Sequence, residues 1–378
     1  MKSSSGEHFI ALDHVRALAV LLVFSWHFMH GGSTPPVPFE FTPAWSPLIF
    51  FDEGHVGVAL FMTLSGYLFA RLLEGRRVLW WQFYWNRALR LLPLLALVFA
   101  INAAVAAWQA HDLRAAYGFL RTLPSGILFP SWPNGAWSIT VEMHFYVLLP
   151  LLLWMLRGNV RALWGVLALA IAGRIVYYAI NGEVQSVAYW TIFGRIDQFV
   201  LGIIAFHARR QIVGSTWLAA AVAVAFITVY WWFDQRGGFF FNGGYPSPSR
   251  QWILLPTAEG ASFAFLIAWY DGSFVHSRGP LSTTMMRFGE YSYAIYLLHF
   301  FFVYQLAHWI HTSVIDLSNY YVALAVSFAA FAAMLPIGYL SMRFIERPFL
   351  RMRRRYVVDE ARADDHFTAT HSPNSHCS

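Results

Sequence analysis

The sequence predicts an all-α fold, a polytopic integral membrane helical bundle of about ten transmembrane helices with both termini in the cytoplasm. Three observations lead there. Of 378 residues, 58% are apolar and 12% are charged, about half the charge of an ordinary soluble domain. Such a chain cannot cover itself with a water-facing surface. Apolar runs of about 20 residues, the length that crosses a bilayer as a helix, recur from end to end. The arginines collect between alternate pairs of those runs.

In chain order the spans fall at about 9–29, 55–73, 85–108, 138–156, 160–180, 190–207, 213–232, 252–270, 287–309 and 320–345. Arg71, Arg76 and Arg77 follow the second, and Arg87 and Arg90 open the third. Arg157 and Arg161 separate the fourth from the fifth, Arg209 and Arg210 the sixth from the seventh, and Arg278 and Arg287 the eighth from the ninth. Arg343 to Arg355 close the tenth. With Lys2, eighteen cations up to Arg355 lie on this side, against four on the other (Arg114, Arg121, Arg236 and Arg250). Positive charge marks the cytoplasmic side, which sets the orientation and supports a count of ten spans. The segment Asp112–Gly126 reads as a short amphipathic or re-entrant piece. Outer loops Gly31–Gly54 and Phe233–Gln251, rich in Gly, Pro and aromatics, suit contact with an extracytoplasmic ligand or serve as connections alone. Residues 1–356 form one membrane domain. Residues 357–378 form a polar, disordered cytoplasmic tail.

Composition also excludes functions. The basic balance is almost all arginine between apolar runs, unlike the clustered basic face of a nucleic-acid binder. A single cysteine, Cys377, rules out a disulfide framework or a cysteine-based metal site. The first apolar run contains Asp13 and Arg16 and has no small-residue cleavage site after it, so it reads as a span and not a signal peptide.

Arg16 and His27 lie eleven residues apart in the first span. At 100° per residue they share a face, about 16 Å apart along the axis. Arg16 is near the cytoplasmic end and His27 lies deeper. Charged groups at such depth cost roughly 2.5–3.5 kcal/mol and mark function by default. The bland readings are a snorkelling arginine and a histidine satisfied between helices. A neutral imidazole there is a competent general base.

Several blocks together give the sequence a family resemblance: Leu12-Asp13-His14-Val15-Arg16, Arg16 with His27, Gly57 to Gly66, Arg87-Ala88-Leu89-Arg90 before Pro93, Trp137-Ser138-Ile139-Thr140-Val141-Glu142, Tyr291 to His299, and Glu346-Arg347-Pro348. Over about residues 8–350 the chain resembles acyltransferase family 3, membrane proteins that O-acylate cell-surface glycans and related molecules. It departs at His14, where the family has glycine, at Met62, where it has phenylalanine, and at Met143 and His144.

The resemblance implies an O-acyltransferase of the bacterial cytoplasmic (inner) membrane. It would carry an acyl group, acetyl foremost, from cytoplasmic acetyl-CoA to a hydroxyl of an extracytoplasmic glycan or lipid-linked saccharide. Its partners are acyl-CoA, that acceptor and membrane lipids, with no metal. His27 is then the catalytic base. Glu142 either orients His27, as the third member of a triad does, or holds the acceptor. Arg16, Arg87 and Arg90 suit the phosphates of CoA, and Ser65 beside Gly66 lines a thin ligand's path or lets helices approach. Asp13, Trp137, Ser138, Tyr296 and His299 are candidate substrate contacts. Trp137 reads equally as an interfacial aromatic, and Ser292, Tyr296 and His299 equally as an inter-helix seam. Arg195 and Asp197 either structure the bundle or hold a ligand. A reading from another class is a proton-coupled transporter or flippase using the same buried pair, although no internal repeat is visible.

Overall fold

The computed structural model describes residues 9–241 and 244–358. Its helices follow the expected spans in order: α1 (Ile10–His30), α2 (Val56–Leu73), α3 (Trp80–Ala110), α4 (Trp137–Gly158), α5 (Arg161–Asn181), α6 (Ile192–His207), α7 (Thr216–Asp234), α8 (Leu255–Ser273), α9 (Pro280–Leu298), α10 (Val303–Ser313), α11 (Tyr320–Ala332) and α12 (Met334–Ser341). The last two continue through a π turn at Met342–Glu346 into one apolar stretch ending at Leu350.

Among the described residues, seven helices are long and apolar enough to cross a membrane. There are eight if Pro280–Phe301 and Val303–Ser313, inclined by 59°, count as one broken span. The ten expected from the sequence include two helices, α6 and α8, that fall outside this count by length and composition. Helix α6 has 16 residues, about 24 Å at 1.5 Å per residue, short of the roughly 30 Å hydrocarbon core. Both α6 and α8 carry buried polar groups. Asp197 bonds Arg174 at 2.7 Å and Thr257 at 2.5 Å. Gln198 donates to Glu259 at 2.7 Å, and Tyr230 also donates to Glu259. These helices pack inside the bundle, where paired polar groups are tolerated and an apolar surface is not needed. Arg195 and Asp197 thus join a buried network that ties α5, α6 and α8 together.

Helix α1 lies at the centre, packed against α2 and α9, while α2 packs on α6 and α8. Close approach needs small residues. A Cβ on Gly66 would run into the backbone of Phe199 on α6, and one on Gly289 into the backbone of Asp13 on α1. Gly66 therefore packs, while Ser65 beside it faces a cavity.

The piece after Asp112 is the helix Leu113–Thr122, capped by Asp112, whose side chain accepts from the Arg114 amide at 2.8 Å. Its Leu113, Tyr117 and Leu120 are exposed, the amphipathic character expected of it. The strands Arg77–Val78 and Val357–Val358 pair antiparallel. Asn86 holds the same C-terminal segment with two bonds, donating to the Arg354 carbonyl at 2.6 Å and accepting from the Arg354 amide at 3.0 Å. Of the expected tail 357–378, Val357 and Val358 lie in this strand pair, and 359–378 lie outside the described residues.

Candidate active site

Two chambers touch α1 near its opposite ends. The first, about 160 Å³, is lined by Asp13 and Arg16 of α1, Ser65 of α2, Arg87 and Arg90 of α3, Glu142 and Tyr146 of α4, Glu290 of α9, and Arg353. Arg16 pairs with Asp13 at 2.5 Å. Arg90 pairs with Glu346 and lies 5.3 Å from the Tyr293 ring centroid. Arg87 lies 5.3 Å over Phe69 and reaches the Tyr146 hydroxyl, which donates to Glu142 at 2.5 Å. The three arginines expected from the sequence are thus brought together, one on α1 and two on α3.

A narrow neck, about 70 Å³, adjoins this chamber at Phe61, Ser65, Glu142 and Tyr293. It is closed in by Val58, Met62, Ser138, Ile139, Phe199 and Tyr296. Met62 thus lines the neck. Ser138 donates to the Tyr296 hydroxyl at 2.8 Å, and Tyr296 donates to the Gly135 carbonyl at 2.9 Å. These two residues hold each other at the far end of the neck.

Val58 and Tyr296 also line the second chamber, about 580 Å³, which contains His27 and His30 of α1. Its wall is aromatic: Trp26, Trp137, Tyr189, Trp190, Phe239, Phe240, Tyr245, Phe300 and Tyr304. Phe39 and the glycines Gly31 and Gly32 come from the first long loop, and Phe239, Phe240 and Tyr245 from the second, so both loops contribute to the wall. Trp137 is buried against Trp190, with ring centroids 4.5 Å apart, and sits 5.7 Å from the Arg195 guanidinium carbon. Its buried position favours the chamber wall over the interfacial belt.

Hydrogen bonding fixes the tautomer of His27. Its Nδ1 is 2.9 Å from the Val23 carbonyl, which can only accept, so Nδ1 carries the proton. By the same reasoning His299 Nδ1 donates to the Ile295 carbonyl at 3.0 Å. His299 Nε2 is then a bare acceptor, and it lies 3.2 Å from His27 Nδ1. That leaves His27 Nε2 unprotonated, with no hydrogen-bond partner among the described residues, in a histidine that lines the chamber. Glu142 is not the group on His27. Its partner is Tyr146, and it lines the arginine chamber and the neck.

A buried polar group stands beside this chamber. His30 bonds the Val37 carbonyl at 3.0 Å and Asp52 at 3.2 Å. Glu53 accepts from the Phe239 amide at 3.1 Å, and burial, with Asp52 beside it, pushes its carboxyl up to about 8. Sequence reasoning had not singled out Asp52, Glu53 or His55, because no local pattern separates them from loop residues. It also missed Arg353 and the pairing of Glu346 with Arg90. Arg353 was hidden in an arginine run that anchoring explains, and Glu346 was seen only as part of a short motif.

The geometry can be set beside known proteins. A model of the acyltransferase domain matches residues 9–343. A Staphylococcus aureus protein named "Putative O-acetyltransferase SACOL0978" is 23% identical over 379 residues, covering 89% of this chain and 56% of that protein. The exopolysaccharide production protein ExoZ of Rhizobium meliloti is 27% identical over 319 residues, covering 80% of this chain and 92% of that one. The chain spans about half the length of the Staphylococcus relative. No solved structure matches. With the family model running from the start of α1 through the end of α12, the chain belongs to the acyltransferase domain family.

Proposed function

We propose that the protein is a membrane-embedded O-acyltransferase of the bacterial inner membrane. It moves an acetyl group from cytoplasmic acetyl-CoA to a hydroxyl of an extracytoplasmic glycan or lipid-linked saccharide. One observation carries this reading. An arginine-lined chamber and a chamber containing an imidazole with a free Nε2 meet at a neck, at opposite ends of one helix. With the arginine-rich end in the cytoplasm, Arg16, Arg87 and Arg90 receive the phosphates of CoA. Eleven residues of α1, about 16 Å, then separate that cation site from the base, a span suited to an extended thioester arm threaded past Ser65.

In the step itself, His27 Nε2 takes the proton of the acceptor hydroxyl as its oxygen attacks the thioester carbonyl. The tetrahedral intermediate collapses with cleavage of the carbon–sulfur bond, and the imidazolium returns its proton to the departing thiolate. His299 Nε2 shares the Nδ1–H with the Val23 carbonyl and so helps to hold this tautomer, the orienting role that a carboxylate plays elsewhere. Trp137 and the neighbouring rings offer flat faces for a sugar, and Tyr296 and Ser138 border the point of transfer. Glu142 acts from the donor side through Tyr146 and Arg87. The sugar acceptor is supported by the aromatic wall and by the name of the Rhizobium relative.

Proteoliposomes given radiolabelled acetyl-CoA on one side, with and without acceptor glycan, test the reading. Release of free CoA that depends on acceptor, with label appearing on the glycan, is expected. Flux of substrate with the thioester intact would instead make the protein a transporter.

A further inference from the structure

Two of the four arginines at the donor chamber are already neutralised. Arg16 has Asp13 and Arg90 has Glu346. Among the described residues, the Arg87 side chain touches the Tyr146 hydroxyl and two aromatic rings. The Arg353 side chain has no hydrogen bond or ion pair among the described residues, and its Nε, like that of Arg87, is buried without a partner. Glu142 and Glu290 also line the chamber, but neither makes an ion pair with Arg353. Buried unpaired charges are costly. Burial, with Arg87 and Arg90 close by, pulls the Arg353 guanidinium down to about 9. A guanidinium gives up its proton poorly, so an anion is the simpler way to relieve the strain.

Arg353 is where it is by construction. It belongs to the segment after the last helix, which is strapped to the start of α3 by the Asn86 bonds to Arg354, by the Leu79 amide donating to the Tyr356 carbonyl at 2.8 Å, and by the two-residue strand pair. Tyr356 also packs on Phe83, with centroids 5.5 Å apart. The strap holds Arg353 beside two arginines that would otherwise repel it.

We infer that Arg353, held by this strap, is a phosphate-binding residue for the acyl donor, pairing with Arg87 across the anion that occupies the chamber. The inference rests on the donor reading above and adds a residue that arrives from the far end of the chain. The strap thereby makes the C-terminal segment part of the donor site.

The test is CoA binding by calorimetry to the purified full-length protein in detergent, for the natural chain, Arg353→Gln, Arg353→Lys and Asn86→Leu. Losing a charge-assisted hydrogen bond costs roughly tenfold to a hundredfold in affinity. Arg353→Gln is expected to weaken CoA by that much, and Arg353→Lys by less. Asn86→Leu, which unlatches the strap but keeps the charge, should resemble Arg353→Gln. The Arg353 side chain is half-buried, so Arg353→Lys should keep the natural unfolding midpoint, and Arg353→Gln, which removes an unpaired charge, should keep or raise it. Unchanged CoA affinity in Arg353→Gln would overturn the inference. So would a loss confined to labelled phosphatidylglycerol in the micelle with CoA unaffected, which would assign the site to a lipid headgroup. If the natural chain itself fails to bind CoA, the donor reading falls first and takes this inference with it.

Discussion

His299 Nε2 lies 3.2 Å from His27 Nδ1, with both rings holding their Nδ1 protons on backbone carbonyls one helical turn earlier. Two histidines 272 residues apart are thereby locked into one tautomeric arrangement, with His27 Nε2 as the open end. His27→Ala should reduce acetyl transfer by about 10²–10⁴-fold, the usual worth of a general base, while the protein stays folded in the membrane. Transfer assays on purified protein would settle it, and near-natural turnover in the variant would remove His27 from the mechanism.

His299 should act through His27 and not on substrate. His299→Ala is expected to lower kcat by about tenfold to a hundredfold, within the range seen for groups that orient a base, and to leave the KM for either substrate nearly unchanged. His299→Gln restores an acceptor and should recover part of kcat. A rise in acceptor KM as the main effect would instead place His299 on the sugar.

Tyr146 links Glu142 to Arg87. Removing its hydroxyl in Tyr146→Phe leaves the ring in place and frees both neighbours. The expected outcome is a rise of about tenfold in the KM for acetyl-CoA, the size of one lost hydrogen bond to a charged group, with the acceptor KM unmoved. An equal rise in both would show that the chain Glu142–Tyr146–Arg87 is not specific to the donor.

Glu53 carries a sign that can be worked out in advance. Its carboxyl titrates near 4.5 in an unfolded chain and about 8 in place, faced by Asp52, His30, His55, Asp234 and the Phe239 amide. Between those values the native protein holds a proton that the unfolded chain has released, so stability falls as pH rises through the window. Unfolding midpoints in detergent from about pH 5 to about pH 8 should decline for the natural chain and decline less for Glu53→Gln. Parallel slopes would show that the group is not responsible.

Gly66→Leu should destabilise the bundle by roughly 1–3 kcal/mol, the usual cost of overpacking, because its side chain meets the Phe199 backbone and not a movable side chain. Ser65→Ala, one residue away, should be nearly neutral in thermal unfolding.

Sequence reading reached some of this arrangement and stopped at a definable point. Arg16 and His27 were legible because both sit on one helix, where a fixed 100° per residue places them on one face. The proposed orientation of α1 rests on arginine counts alone. The His27–His299 bond was not legible, since periodicity relates residues within a helix and says nothing about which helices touch. For the same reason Glu142 looked like a partner for His27, when tertiary packing gave it Tyr146. Spans six and eight fall outside the count made by length and composition, since α6 has 16 residues and α8 carries the buried Glu259.

The neck between the chambers has one more consequence. A protein open to a bulky thioester at one end and a sugar at the other would, if bored straight through, let protons and ions run down the gradient that the membrane maintains. At about 70 Å³, with Val58, Phe61, Met62, Ile139 and Phe199 in its wall beside Ser65, Ser138, Glu142, Tyr293 and Tyr296, the neck holds only a few water molecules. In the proposed orientation it insulates. The acyl group can change sides while the membrane keeps its voltage.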